Sequence, residues 1–281
     1  MQINIEALTD ILDIQKDSKP LIHCISNLVT INDLVQSILC YSGKPIIAQG
    51  IEEVNEIACN SKGLLLNLGT LDSNRVEAME KSLKAVRKKN IPVLLDIDGI
   101  DMSFFRQDTA LRFLTRYNIN IVKGKLSEFK RLVDSESNIN NIDSIDITIK
   151  GNCEIRSEIK NVARKFRNIV VVVDKEYYVT DGFSEFFIMN GDVIFEKIYS
   201  INTIFSGLIA TGMAVTSTKA EMIKAILVAI VTIGVCQELV LQKKKESDGL
   251  IILKQHLFDE IFNIKKEDLK KMGNIIYEFK R

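Results

Sequence analysis

The alternation of two kinds of segment constrains the fold of this 281-residue chain more than any other feature. Short apolar runs such as LLLN (residues 64–67) and NIVVVV (168–173) alternate with longer segments that repeat apolar residues at helical spacing. A strand with one solvated face alternates apolar and polar residues, so uninterrupted runs indicate parallel strands covered on both faces. The pattern predicts right-handed β–α–β crossovers and a three-layer α/β/α sandwich around a mainly parallel sheet.

The same pattern assigns approximate positions to the elements. The segment YYVTDGFSEFFIMNGD (177–192) is typical of a hairpin that turns at Asp181 and Gly182. A largely helical stretch follows over 203–242, and the charge-rich tail contains two further amphipathic helix candidates. The Asn-rich residues 135–143 are typical of a loop. We predict strands at 45–48, 63–67, 93–96, 119–123, 146–149 and 168–173, and helices at 52–59, 73–90, 108–116, 127–133 and 154–166.

Composition and charge limit the function classes. With 46% hydrophobic residues the chain can bury a sizeable core, and we expect a single domain over residues 1–281 because no segment is typical of a linker. The 37 basic and 37 acidic residues cancel, so no net field attracts nucleic acid or an anionic membrane. We therefore expect small-molecule partners, without nucleic acid or membrane.

The cellular location is also suggested by composition. The first 17 residues carry acids among their apolar residues, unlike a signal peptide, and the most apolar stretch, residues 225–236, is shorter than the roughly 20 residues of a membrane span. Five dispersed cysteines without a CxxC spacing argue against a disulfide framework or a structural zinc site. These features predict a cytoplasmic protein with a buried apolar helix.

Polar residues follow several of the predicted strands. In open parallel sheets ligands bind beyond the carboxyl ends of the strands, here residues 67–71, 96–101, 123–128 and 174. Three of these segments offer carboxylates, which suit Mg²⁺ and phosphate chemistry. Asp and Asn are also ordinary helix N-caps, and no GxGxxG, Walker, HExxH or GxSxG motif is present. The residues alone therefore predict a ligand-binding α/β domain and leave the ligand open.

Several motifs, in order and spacing, resemble those of the hydroxyethylthiazole kinases of thiamine biosynthesis. The longest is PLIHCISNLVTIND (20–33), and NLGTL (67–71), LLDIDGIDMS (94–103), VKGKLSE (122–128) and YVTDG (178–182) follow it. The resemblance covers about residues 15–240. It implies a ribokinase-like α/β sandwich, a homotrimer with pockets between subunits, and Mg²⁺-dependent transfer of a phosphoryl group from ATP to 4-methyl-5-(2-hydroxyethyl)thiazole.

The resemblance also implies roles for individual residues. Those roles are metal binding for Asp96 and Glu128, ATP binding for Lys123 and Val173, thiazole binding for Asn27, Ile47 and Ser200, and catalysis for Thr203.

The chain departs from the family motif on the phosphate side. Where the family has TGTGC, this chain has YSINT (199–203), so Ser200 and Asn202 replace glycines and Thr203 replaces a cysteine. Glycines allow a phosphate to approach the backbone closely, and a neutral hydroxyl is a poor base. Asp174 also places a carboxylate near the expected triphosphate. Two hypotheses remain: a kinase, and a catalytically weak or inactive paralogue that serves as a thiazole-binding or regulatory module.

Overall fold

A nine-stranded sheet forms the middle layer of the computed structural model, which describes residues 5–133 and 148–279. Across the sheet the strands lie in the order β2-β1-β3-β4-β5-β6-β7-β8-β9. The strands β1 to β6 pair in parallel, and β7, β8 and β9 are antiparallel. The bounds are β1 (Leu21–Ile25), β2 (Lys44–Ile47), β3 (Gly63–Asn67), β4 (Val93–Asp96), β5 (Ile121–Gly124), β6 (Ile169–Val173), β7 (Tyr177–Thr180), β8 (Ser184–Ile188) and β9 (Ile275–Phe279).

Helices cover both faces of the sheet, as the sequence predicts for a three-layer sandwich. The first, second and last four helices pack with one core, and the third to seventh pack with the other. The helices are α1 (Asp10–Ser18), α2 (Ile31–Cys40), α3 (Val54–Asn60), α4 (Ser73–Arg87), α5 (Phe104–Arg116), α6 (Leu126–Val133), α7 (Cys153–Phe166), α8 (Ile201–Met213), α9 (Lys219–Lys243), α10 (Leu250–Asn263) and α11 (Lys266–Met272).

The interior strand β6 shows why the apolar runs are continuous. Its sequence IVVVV is buried throughout. Successive side chains of a strand point to opposite faces. Accordingly, Ile169, Val171 and Val173 belong to one core, whereas Val170 and Val172 belong to the other. A polar residue at any of these positions would therefore be buried whichever face it occupied.

Most predicted elements are present, and the bounds of β3 and β4 agree with the sequence pattern. The hairpin is confirmed, because β7 and β8 pair across Asp181 and Gly182. The predicted loop 135–143 and residues 146 and 147 of the predicted strand 146–149 lie outside the described residues, and Ile149 lies in a turn rather than in a strand. The pattern missed β1, hidden in a motif with His23, and β9, whose few residues follow two charged helices.

The helix α9 is longer than its apolar centre indicates. At 25 residues it is long and apolar enough to cross a membrane by length and composition, but 78% of its most apolar window is buried inside the fold. It packs against α8 and α10. A capping box between Thr218 and Glu221 fixes its first turn. Its burial agrees with the prediction of a core helix.

The register of the parallel strands places polar residues side by side at one edge. Asn67 of β3 is the partner of Asp96 of β4, and Asp96 is the partner of Lys123 of β5. A shift of one residue would turn each of these side chains to the other face of the sheet. Their alignment at the carboxyl edge therefore depends on the apolar residues that fix the register.

A close contact in the core predicts one stability effect. A Cβ atom on Gly234, within α9, would lie 2.6 Å from the Cβ of Asn190 and 2.8 Å from its carbonyl carbon. We expect Gly234→Ala to lower the free energy of unfolding by about 1–3 kcal/mol, because this overpacking outweighs the better helix propensity of alanine. Chemical denaturation measures the effect. Gly249→Ala is the control, since no atom lies within 4 Å of its added Cβ, and equal stability of the two variants would contradict the argument.

Candidate active site

A cleft of about 480 Å³ lies where the carboxyl ends of β1, β3, β4 and β5 face the start of α8. Its walls come from segments far apart in the sequence, as expected for the edge of an open parallel sheet. Several of its polar side chains are acidic. The polar residues along it include Asn27, Asn67, Asp96, Asp98, Asp101, Lys125, Glu128, Glu196, Asn202 and Thr203.

A buried ion pair forms the floor of the cleft. The Nζ atom of Lys123 lies 2.9 Å from Oδ2 of Asp96, and these side chains are 2% and 3% exposed. The hydroxyl of Ser206, on α8, donates to the same oxygen at 2.6 Å. Asp96 lines the cleft, and among the described hydrogen bonds and ion pairs none involves its Oδ1. Lys123 therefore neutralises Asp96 from beneath rather than pointing along the cleft surface.

The carboxylate of Glu128 closes one side of the cleft. It accepts the backbone N–H of Gly99 on Oε1 and the backbone N–H of Lys125 on Oε2, both at 2.7 Å. Burial raises the pKa of Glu128 to about 8, the two N–H groups oppose that shift, and the nearby Asp96 and Asp98 add to it. The side chain is thus positioned by the backbone at both oxygens, while its ionised form is disfavoured until a cation is near.

The amide of Asn27 is oriented by two contacts. Its Oδ1 accepts the backbone N–H of Val29 at 2.9 Å, and its Nδ2 donates to Oδ2 of Asp98 at 3.3 Å. Because the first contact requires an acceptor and the second a donor, both agree on which way the amide points. Asn27 thereby connects the loop after β1 to the loop after β4.

The N-terminus of α8 faces the cleft with unpaired backbone amides. Ser200 is the N-cap residue and its side chain makes no capping hydrogen bond. In the described part of the chain the N–H groups of Asn202 and Thr203 have no hydrogen-bond acceptor. Such amides, together with the helix dipole, favour an anion. The hydroxyl of Thr203 donates to Oγ1 of Thr30 at 2.9 Å, which fixes its position in the wall.

A second cavity, of about 180 Å³, adjoins the cleft. Val173 and Asp174 line it from the end of β6, together with Tyr177 of the adjacent strand β7 and Gln237 of α9. Asp174 accepts the backbone N–H of Leu126 at 3.1 Å and that of Lys175 at 2.9 Å. Its charge is therefore partly satisfied by the first amide of α6 and by the amide of the next residue in the chain, and it serves the local structure as well as lining the cavity.

The structure brings together four of the eight residues that the sequence singled out. Asn27, Asp96, Glu128 and Thr203 line the cleft, and Val173 lines the second cavity. The other three lie elsewhere. Lys123 is beneath the floor, Ser200 is buried at the helix cap, and Ile47 is 39% exposed on the edge strand β2, outside the cleft lining.

Four charged residues of the cleft lining, Asp98, Asp101, Lys125 and Glu196, have no role assigned from the sequence. Lys125 lies within the predicted ligand segment 123–128, so its position at a strand end was the available signal. Glu196 belongs to a short 3-10 helix, Val193–Lys197, that reaches the cleft only through the path of the chain after β8. No local pattern marks such a residue.

The model of the Hydroxyethylthiazole kinase family matches residues 12–267. The chain belongs to this family. Hydroxyethylthiazole kinases of two Clostridium perfringens strains are 34% and 33% identical over 268 and 267 residues, covering 95% of this chain and all of each relative. That of Alkaliphilus oremlandii is 27% identical over 268 residues, covering 95% of this chain and 97% of the relative. The family match extends the resemblance beyond residues 15–240 at both ends.

Solved structures share the fold. The hydroxyethylthiazole kinase of Pyrococcus horikoshii superposes with a TM-score of 0.85 at 24% identity, covering 97% of this chain and 99% of the other. A ribokinase-like superfamily protein of Enterococcus faecalis has a TM-score of 0.55 at 12% identity, covering 90% and 94%. The prediction of a ribokinase-like sandwich in a phosphotransferase family is confirmed.

The burial of Glu128 predicts a pH dependence of stability in the hydroxyethylthiazole kinase fold. A raised folded-state pKa means that the native protein holds a proton the unfolded chain has lost. We expect the contribution of Glu128 to the free energy of unfolding to fall as pH rises from about 4.5 to about 8. Glu128→Gln, denatured alongside the parent in chelator, should show a flatter decline over that window. Gln can accept only one of the two N–H bonds, so the free energy of unfolding of Glu128→Gln should be lower than that of the parent at acid pH. Parallel curves would show that Glu128 is ionised in the folded state at neutral pH.

Proposed function

We propose that the chain transfers the γ-phosphoryl group of ATP to the hydroxyl of 4-methyl-5-(2-hydroxyethyl)thiazole, in thiamine biosynthesis or salvage. The observation that supports this most is the meeting of two cavities at the N-terminus of α8. Lys125, Glu196, Ile201 and Asn202 line both. A donor in one cavity and an acceptor in the other would place a phosphoryl group beside the unpaired amides of the helix.

The assignment of the two cavities follows from their linings. The smaller one, beside Val173, takes the nucleotide, and the larger cleft takes the thiazole alcohol, with Asn27 as a hydrogen-bonding side chain. Ser200 and Ile47 contribute to the thiazole side through the helix cap and the sheet edge. Phosphoryl transfer depends mainly on positioning and charge stabilisation, so this geometry can act without a strong base.

Thr203 is the residue we assign to the reacting centre. Thr203 lines the cleft, its hydroxyl contacts Thr30, and its backbone N–H has no acceptor among the described residues. We infer that it hydrogen-bonds the alcohol and that its amide contacts the phosphoryl oxygens. The neighbouring Ser200 has a φ of −88°, so the replaced glycine is not needed for the backbone conformation here. The side chain of Asn202, which lines both cavities, is the departure that stands in the phosphoryl path.

Asp96 and Glu128 fit a magnesium site that has only two protein ligands. No group of three or more metal-binding side chains is found among residues 5–133 and 148–279. Mg²⁺ in nucleotide sites commonly uses one or two carboxylates together with phosphates and waters. We propose that Oδ1 of Asp96 and the carboxylate of Glu128 hold the ion. When bound, Mg²⁺ supplies positive charge that offsets the phosphates and the acids of the cleft.

Binding measurements test the assignment of the two substrates. We expect calorimetric titration to show binding of the thiazole alcohol, and weaker binding of Mg·ATP, because Glu196, Asp98 and Asp101 add negative charge around the phosphate path. Asn27→Ala should weaken binding of the thiazole alcohol about tenfold or more and leave binding of Mg·ATP unchanged. The truncation removes the hydrogen bond that we propose to the alcohol and leaves the polar atom of the ligand unpaired. Tight Mg·ATP binding without any thiazole binding would point to another acceptor. Thiazole binding without Mg·ATP binding would favour the binding or regulatory module.

We propose a cytoplasmic homotrimer with the thiazole pocket shared between subunits. Exposed apolar side chains support this arrangement, because Leu28 and Val29 are 54% and 67% exposed just after β1, and Ile47 is exposed on the edge strand. Light scattering at micromolar concentration should give three times 31.8 kDa. Val29→Lys should lower that mass by placing a charge in the interface, whereas Val133→Lys, at the end of α6, should not. A monomeric parent would rule out the shared pocket.

A further inference from the structure

We propose that the ammonium group of Lys125 binds the phosphoryl group during its transfer and is a catalytic residue of this chain. This inference rests on the proposed function and names a cation that the sequence motifs assign to no role. Lys125 follows β5 directly. It lines both the nucleotide cavity and the acceptor cleft.

Lys125 is the one Lys or Arg that lines either cavity in the described residues. Lys123, two residues earlier on β5, lines neither cavity and is engaged by the buried carboxylate of Asp96 at 2.9 Å. Releasing Lys123 toward a ligand would leave Asp96 as an unpaired buried charge, which is strongly unfavourable. The positive charge available where the cavities meet is therefore that of Lys125.

The backbone of Lys125 is fixed although its side chain is exposed. Its own N–H donates to Oε2 of Glu128, and the next N–H, of Leu126, donates to Oδ2 of Asp174. The side chain has no described hydrogen bond or ion pair. Burial and the nearby Asp174 raise the pKa of Glu196, and the charges of Lys175 and Lys125 oppose that rise. A held backbone with a free ammonium suits a residue that binds a ligand from between two cavities.

The backbone N–H groups in the first turn of α8 provide further hydrogen-bond donors beside the cavities that Lys125 lines. The unpaired N–H groups of Asn202 and Thr203 start α8, and Asn202 lines both cavities together with Lys125. In the reaction the bond from the γ-phosphorus to the β,γ-bridging oxygen breaks, and its electron pair leaves on ADP. A bond forms from the alcohol oxygen to the γ-phosphorus, and the alcohol proton is released to water. Lys125 and the amides stabilise the negative charge on the equatorial oxygens.

Kinetics and nucleotide binding of Lys125 variants test the proposal. We expect Lys125→Met to lower kcat for phosphorylation of the thiazole alcohol about 10²–10³-fold, which is typical of a lost transition-state donor. Lys125→Arg should recover part of the rate by keeping the charge. Lys130→Met, on α6 and outside both cavity linings, is the control with the same loss of charge. Calorimetry should show weaker binding of Mg·AMP-PNP to Lys125→Met and unchanged binding of AMP and of the thiazole alcohol.

The outcomes separate this inference from the proposed function. If Lys125→Met matches Lys130→Met within twofold in kcat and in Mg·AMP-PNP affinity, the assignment of Lys125 is overturned. If the parent makes no thiazole phosphate but binds Mg·AMP-PNP in a manner that depends on Lys125, the assignment stands and the acceptor is wrong. Circular dichroism of each variant confirms folding, and Lys125→Gln provides a second neutral side chain should the Met variant be unstable.

Discussion

The buried contact among Asp96, Lys123 and Ser206 links the parts of the candidate site. Asp96 and Lys123 are register partners on β4 and β5, and Ser206 reaches the same carboxylate from α8. Breaking a buried ion pair by removing one partner commonly costs about 3–5 kcal/mol. The contact therefore ties the helix with the unpaired amides to the strand ends that carry the carboxylates, and both sides of the cleft share one rigid support.

This use of Lys123 changes how the site handles charge. Because Lys123 pairs with the buried Asp96, it is not available to a nucleotide. Asp98, Asp101 and Glu196 add further negative charge to the cleft. Backbone amides stabilise part of this negative charge, since Glu128 and Asp174 each accept two backbone N–H groups. The remaining negative charge is the reason for the proposed Mg²⁺ at Asp96 and Glu128 and for the proposed role of Lys125 where the two cavities meet. In this proposal, charges elsewhere in the site compensate for the departures of residues 199–203 from the family's phosphate motif.

The sequence predicts much of the fold because its apolar runs report burial on both faces, as β3 and β6 show. It misses β1, where His23 and Cys24 are buried within a short strand, and β9, which pairs with a strand that lies about 90 residues earlier in the sequence. Asp96 and Glu128 can be expected at the cleft because they lie in segments at the ends of predicted strands, whereas Asn27 and Thr203 are assigned to the site only by the resemblance to the hydroxyethylthiazole kinases. The pairing of Lys123 with Asp96 depends on strand register, and the position of Glu196 depends on the path after the hairpin, so neither can be predicted from local spacing.

Phosphorus NMR of the purified chain with Mg·ATP and the thiazole alcohol tests the central claim, that the two cavities join into one phosphoryl-transfer site. We expect a new phosphomonoester signal that grows in step with ADP, and no matching growth of inorganic phosphate. Loss of ATP to inorganic phosphate alone would contradict it, because water and not the alcohol would then occupy the acceptor cleft. An unchanged ATP spectrum with both ligands bound would contradict it as well, and would identify the chain as a binding module.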